Sequence, residues 1–370
     1  VNDTIQKLVE AWGPSGQEDA VRELIRAEIA GLADEVQVDP LGNLIARRGP
    51  RGPRGGRGRE SVRREGARRE GGEREGGERE GGEGGGRENG ARRIMLAAHM
   101  DEIGLMVTHV DEKGFLRFTS VGYLIPITLL GGRVRFGDGT VGVIGIERRD
   151  RDGDKAPSLE QLYIDVGATS QADCPIRVGD QGAMLRPYTE LAGGGRLVAK
   201  SMDDRIGCAV LIETLRRLKR SPHELAFVFT VQEEVGTRGA QTSAYGLDPE
   251  IGIAVDVTTT GDTPEARRMA VRLGGGPAIK VRDVGMLAHP GVKNWMVACA
   301  EENDILYQLE VLEGGSTDAR AIQLSRGGVA AGCLSIPCRY VHTPSEMVDA
   351  GDVEGAVRLL VAMLSAPVAL

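Results

Sequence analysis

Apolar residues recur at helical spacing through "SGQEDAVRELIRAEIAGL" (15–32), and Ser15 with Glu18 three positions on predicts a capping box at its start. Two short strands follow near 36–38 and 43–46, joined by the turn sequence "DPLGN". After an interruption, "RRIMLAAHMDEIGLMVTHV" resumes as a buried strand that runs into a polar tip. The strand-like ends on either side of the interruption predict a hairpin with an inflated loop, because loop-closure entropy grows slowly with length.

From 108 to 192 the texture changes. "GFLRFTSVG", "GGRVRFGDGTVGVIGIE" and "QLYIDVG" are short β-rich runs between glycine turns, and they predict a small β-domain inserted into a larger one. Beyond it, helix and strand alternate. "DDRIGCAVLIETLRRLKR", "GVKNWMVACAEEN", "STDARAIQLSRGG" and "DVEGAVRLLVAMLS" read as helices; "ELAFVFTV", "IGIAVDVT" and "ILYQLEVLEG" read as strands. Near-continuously apolar strands alternating with helices predict an α/β fold with a mainly parallel sheet sandwiched by helices. The larger domain then comprises 1–107 and 193–370, with the β-domain at 108–192 between them. Such sheets bind ligands beyond the carboxyl ends of their strands.

The 370-residue chain is 41% apolar and 27% charged, ordinary for a globular protein with an ample core. A net charge of −8 argues against a general nucleic-acid surface. The five cysteines at 174, 208, 299, 333 and 338 lack metal-ligand spacing and are read as reduced thiols of a cytoplasmic protein. The opening "VNDTIQKLVEAW" lacks the pattern of a signal peptide, and no apolar run reaches the roughly 18 residues of a membrane span. The interruption, 47–93, carries 15 arginines, 9 glutamates and 16 glycines with almost no apolar side chain. Such a stretch cannot repay its ordering entropy and is expected to be disordered. Arginine-glycine tracts can bind phosphate backbones, but the interleaved glutamates weaken that reading here.

Ionisable residues gather at or near the predicted strand ends: His99, Asp101, Asp203, Asp204, Glu233, Glu234, Asp256 and His342. Taken singly, a histidine could cap a sheet edge, and Asp203 or Asp204 could begin a helix. Asp256 after "GIAV" is harder to place so, since an aspartate seldom sits unpaired in a buried strand. Glu233 and Glu234 at one strand tip repel each other unless a cation or shared proton holds them. Two histidines with several carboxylates are a ligand set for divalent zinc, cobalt or manganese, and sufficient for two ions sharing one carboxylate. Residue types alone do not assign the roles.

The chain resembles the M42 family of metallo-aminopeptidases, the glutamyl and tetrahedral aminopeptidase group. The matching segments are "AAHMDEIGLMV" (97–107), "AKSMDDRIG" (199–207), "VQEEVGTRGA" (231–240), "VDVTTTGDTP" (255–264), "EGGSTDARAIQL" (313–324) and "PCRYVHTPSEMVD" (337–349). The resemblance implies a zinc-exopeptidase-like sheet with a barrel-like dimerisation domain, and two metal ions per subunit, zinc or cobalt first and manganese next. It implies His99 on one metal and His342 on the other, Asp203 bridging the pair, and Glu234 completing the site of one metal and Asp256 that of the other. Glu233 would be the general acid/base, Asp101 would orient His99, and Asp204 would support the local backbone. It also implies peptide substrates, no membrane partner, and homo-oligomers built from dimers, up to tetrahedral dodecamers. The segment 47–93 departs from the family pattern and bears on assembly more than on chemistry. Of the other histidines, His289 in "LAHPGVKNW" is a candidate cleft residue, whereas His109 and the linker residue His223 read as structural. The alternative reading is an M20-like carboxypeptidase or aminoacylase, separated by which substrate terminus must be free. A glycoside hydrolase has no use for two histidines and a bridging aspartate, and a binding scaffold has none for an unligated base.

Overall fold

The computed structural model describes residues 2–50, 91–147, 156–368 and 370. The chain opens with α1 (Asn2–Glu10) and α2 (Asp19–Glu28), then β1 (Glu35–Val38), β2 (Leu44–Arg48) and β3 (Arg93–His99). A second unit follows: β4 (Gly104–Val110), β5 (Leu116–Val121), α3 (Pro126–Leu129), β6 (Arg133–Phe136), β7 (Val141–Ile146), β8 (Leu162–Asp165) and β9 (Gln181–Met184). The chain then returns through β10 (Thr189–Glu190), β11 (Arg196–Ala199), α4 (Met202–Arg217), β12 (Glu224–Thr230), α5 (Arg238–Leu247) and β13 (Ile251–Thr258). It finishes with β14 (Ala278–Arg282), α6 (Pro290–Glu302), β15 (Gln308–Val311), α7 (Asp318–Gln323), β16 (Ala330–Arg339), β17 (Glu346–Asp349) and α8 (Ala350–Ser365).

The large sheet runs β1-β2-β12-β3-β13-β16-β17-β11-β10, with β14 branching from β16 and carrying β15. Its centre, β12-β3-β13-β16, is parallel, and antiparallel strands flank it on both sides. Continuous apolar sequence explains the centre: every residue of β13 is buried, as is all of β12 after Glu224. Helices α1, α2, α4, α6 and α8 cover one face, while α5 and α7 cover the other. Gly252 on β13 lets α7 approach, since a Cβ there would lie 2.2 Å from Ile322 Cγ2.

The "DPLGN" turn forms as expected, with Asp39 Oδ1 accepting the N–H groups of Leu41, Gly42 and Asn43. The expected hairpin does not. β12 lies between β2 and β3, antiparallel to the first and parallel to the second, because its apolar sequence is buried by pairing on both edges. The expected disorder over 47–93 falls at 51–90 outside the described residues. Its ends belong to the sheet: Arg48 closes β2, is buried, and donates to the carbonyls of Leu215 and Lys219.

The second unit is a closed barrel, β4-β5-β8-β7-β6-β9, around Leu105, Leu116, Val134, Phe136, Ile144 and Ile164. Its strands run from Gly104 to Met184, starting before the expected 108 and ending before the expected 192, where β10 already pairs with β11 in the large sheet. The apolar run "IGLMV" crosses this boundary without a break, which hides it from the sequence pattern. No described helix is long and apolar enough to cross a membrane.

Candidate metal centre

Parallel strands bring their carboxyl ends to one edge, and the predicted residues gather there. β3 ends on His99, β13 carries Asp256 near its end, and the turn beyond β12 holds Glu233 and Glu234. α4 begins at the same edge with Asp203 and Asp204, joined by a cis peptide and with backbone angles that are not helical. Asp204 Oδ2 accepts the His99 N–H at 3.2 Å, and its Oδ1 accepts the Gly207 N–H at 3.0 Å. A Cβ on residue 207 would sit 2.4 Å from that Oδ1, so the interaction requires glycine.

Asp203 faces both histidines, with His99 Nε2 3.0 Å from Oδ1 and His342 Nε2 3.2 Å from Oδ2. His342 Nε2 is also 3.4 Å from Glu234 Oε2. Two donor groups result. Ligand atoms of His99, Asp203 and Asp256 lie within 4.8 Å of one another, and so do those of Asp203, Glu234 and His342. Glu233 belongs to neither, and its Oε2 lies 4.0 Å from His99 Nε2.

The donor set fits divalent cations. No lysine or arginine pairs with these carboxylates among the described residues, and Glu234 Oε1 is buried without a partner. Burial pushes Asp256 and Glu233 well above the usual carboxylate range, and nearby carboxylates, Asp203 on the first and Asp256 on the second, add to it. Burial and the charge of Asp203 likewise raise Glu234. Burial acts the same way on Asp203, but the His342 and His99 imidazoles prevail and hold it low. Buried like charges crowded in this way are stable when cations sit among them.

A family model described as M42 glutamyl aminopeptidase matches residues 82–359. The chain belongs to the M42 family. It is 41% identical over 361 residues to a putative aminopeptidase of Acetivibrio thermocellus, covering 97% of each chain. A solved aminopeptidase from Desulfurococcus kamchatkensis superposes with a TM-score of 0.85 at 38% identity, over 98% of this chain and 94% of the other. The TET1 peptidase of Pyrococcus horikoshii, reported to assemble into a tetrahedron or a large octahedral shell, is 30% identical with a TM-score of 0.79, over 98% and 99% of the two chains. With the family shown and two His/Asp/Glu groups in place, this M42 protein is a dinuclear metallo-aminopeptidase.

Around the M42 donor groups lies a buried support that residue types only partly announced. Asp101 accepts the N–H groups of Glu233 and Glu234 at 3.0 and 3.1 Å, and its Oδ1 is 3.5 Å from His99 Nδ1. It therefore braces the glutamate turn as well as the histidine. Ser15 does not form the expected capping box; its hydroxyl donates to Asp101 Oδ2 at 2.6 Å, and Glu18 instead accepts from Gly16 and Gln232. The buried Asp101 carboxylate draws that hydroxyl away from the α2 terminus. Glu346 is a residue the sequence reading passed over. Its Oε2 accepts the Asp203 N–H at 3.0 Å and its Oε1 the His342 N–H at 2.8 Å. Its position four residues after His342, in an otherwise ordinary "PSEMVD", was the available signal.

The donor groups open into a cavity of about 1460 Å³, walled also by Tyr123 and Ile125 from the segment after β5, by α5 and by α7. His289 does not line it. It precedes α6, and its N–H donates to the Ala331 carbonyl at the start of β16, the far end of the sheet. The reason is direction: β14 runs antiparallel to β16, so the loop after β14 returns to the amino edge. His109 lies exposed in β4, away from the centre. His223 is structural but not at the surface: buried, it accepts from the Arg92 N–H and contacts the Ala366 carbonyl.

Proposed function

We propose that the protein removes N-terminal residues from peptides, with His99 and Asp256 holding one ion, Glu234 and His342 the other, and Asp203 bridging them. The donor set of imidazole nitrogen and carboxylate oxygen favours zinc or cobalt, with manganese next. When bound, such ions supply Lewis acidity toward the scissile carbonyl and lower the pKa of water. The chain supplies the proton traffic. Glu233, kept out of both donor groups, takes a proton from the attacking water at its carboxylate and returns it to the leaving amine. Asp101 fixes the His99 ring and the backbone under Glu233. The observation that carries this reading is one aspartate shared by two donor groups beside a glutamate belonging to neither.

The test uses aminoacyl-p-nitroanilides with metal-stripped protein re-supplied with zinc, cobalt or manganese. Glu233→Gln should lower turnover roughly 10²–10⁴-fold while two ions per chain still bind. Turnover of N-blocked peptides from their carboxyl end would instead return the carboxypeptidase alternative. For assembly, the barrel exposes Val141 and Val143 on the outward face of β7, an apolar surface suited to pairing two subunits. That supports a homodimer as the building block of larger shells like those reported for the TET1 peptidase. Five free cysteines support a cytoplasmic working site.

A further inference from the structure

The cavity is acidic only at its inner end. Its outer wall carries Arg267, Arg268, Arg320 and Arg326 against a single carboxylate, Glu313. The chain as a whole has a net charge of −8, so this is a local reversal of sign. Two of the four arginines have occupations. Arg267 lies 3.8 Å from Glu313, and Arg326 stacks over Tyr245 with its guanidinium 4.4 Å from the ring centre. Arg326 also donates to the Tyr245 carbonyl at 2.7 Å and approaches Asp248 at 3.5 Å. Arg268 and Arg320 have no ion pair or side-chain hydrogen bond among the described residues.

The two unpaired arginines come from different elements rooted beside the centre. Arg268 lies in the segment that follows β13, the strand of Asp256, and Arg320 stands on the first turn of α7. The Arg267–Glu313 contact brings the segment after β13 against the turn that leads into α7. Both arginines line the cavity that holds the donor groups, on segments that this contact brings together.

We propose that Arg268 and Arg320 form a carboxylate-binding subsite for the part of the peptide beyond the scissile bond. The inference rests on the aminopeptidase reading above, and names the substrates that centre handles best. A guanidinium pairs with a carboxylate through two parallel hydrogen bonds, a geometry that a neutral or cationic residue does not reproduce. Either of two sources supplies that carboxylate: an acidic side chain downstream of the first residue, or the carboxyl terminus of a short peptide.

Four tetrapeptides separate the possibilities: Ala-Ala-Ala-Ala, its C-terminal amide, and the amides of Ala-Ala-Glu-Ala and Ala-Ala-Lys-Ala. The free acid, the glutamate peptide or both should show a KM about tenfold below that of the neutral amide, and the lysine peptide a KM above it. In Arg268→Gln/Arg320→Gln the ratio between peptides should fall to near one. A general loss of activity does not move that ratio. Equal KM values for all four peptides in the native protein, or a ratio the double substitution leaves unchanged, would overturn the subsite. Calorimetric binding of the same peptides to Glu233→Gln protein reads the preference without turnover. If no peptide is hydrolysed with any metal, the aminopeptidase reading fails, and the binding order alone decides the subsite.

Discussion

Each oxygen of Asp203 meets a different imidazole, so a shift of its backbone would misplace both donor groups at once. Glu346 prevents that shift by accepting the N–H groups of both Asp203 and His342. Glu346→Gln keeps the size but leaves one of the two N–H groups facing an amide nitrogen. Metal affinity should drop roughly 10–100-fold, read by competition with a chelator, with little change in unfolding of the metal-free protein. Unchanged affinity would relieve Glu346 of the role. His223 offers a residue-scale effect of pH far from the centre. Its ring must stay neutral, because Nδ1 accepts from Arg92 while Nε2 donates to Ala366. Burial holds it below the ordinary value of 6.5, so the unfolded chain binds the proton more readily than the folded one. The stability it contributes is fully present above that value and declines as pH falls through it. Denaturant midpoints from pH 8 to pH 5 should fall further for the native protein than for His223→Gln; parallel falls would remove His223 from the account.

At the scale of elements, what the sequence pattern revealed and what it concealed have separable causes. β12 and β13 are legible because burial on both faces writes an uninterrupted apolar run, and a charge at the tip of such a run needs a chemical reason. That is why Glu233, Glu234 and Asp256 could be picked out without coordinates. β16, "AAGCLSIPCR", is equally buried but built from small residues, cysteines and a proline, and it escaped notice along with α5, β14 and β17. Strand order is not written in any local pattern, hence the false hairpin between β2 and β3. Nor is the pairing of charges across elements. Lys280 on β14 and Glu310 on β15 form a fully buried ion pair, and Glu310 also accepts from Thr258, two residues beyond Asp256. This network fixes the branch strands to the strand that carries a proposed ligand. Glu310→Gln strips the countercharge from a buried ammonium and should cost about 3–5 kcal/mol in urea unfolding. Lys280→Met with Glu310→Leu removes both charges and should cost markedly less. Equal losses would mean that packing, and not the ion pair, holds the branch.

For the whole molecule, the position of the arginine-glycine segment relative to the chemistry follows from register. β2 pairs with β12 so that Arg48 is opposite Leu225, and β3 pairs so that Arg93 is beside Glu224. Both ends of the segment therefore leave from the amino edge of the sheet, while His99, Asp256 and the glutamate turn stand at the carboxyl edge. The seven residues of β12 put ~20 Å between the two edges. Its ends are anchored independently of what lies between them, Arg48 by two carbonyls and the Arg93 N–H by Glu250. The two ends flank one intervening strand, a gap of ~10 Å, which about six glycine and serine residues span. Replacing 51–90 by such a linker should therefore preserve two-ion binding and the turnover of aminoacyl-p-nitroanilides within about twofold, since loop length weighs little on stability. Light scattering on the same protein gives the size of its assembly. A larger particle with unchanged turnover would make the segment a brake on association and nothing more. Loss of metal binding or of turnover would show that residues 51–90 reach the centre from the opposite edge, and the separation of edge and chemistry argued from register would be wrong.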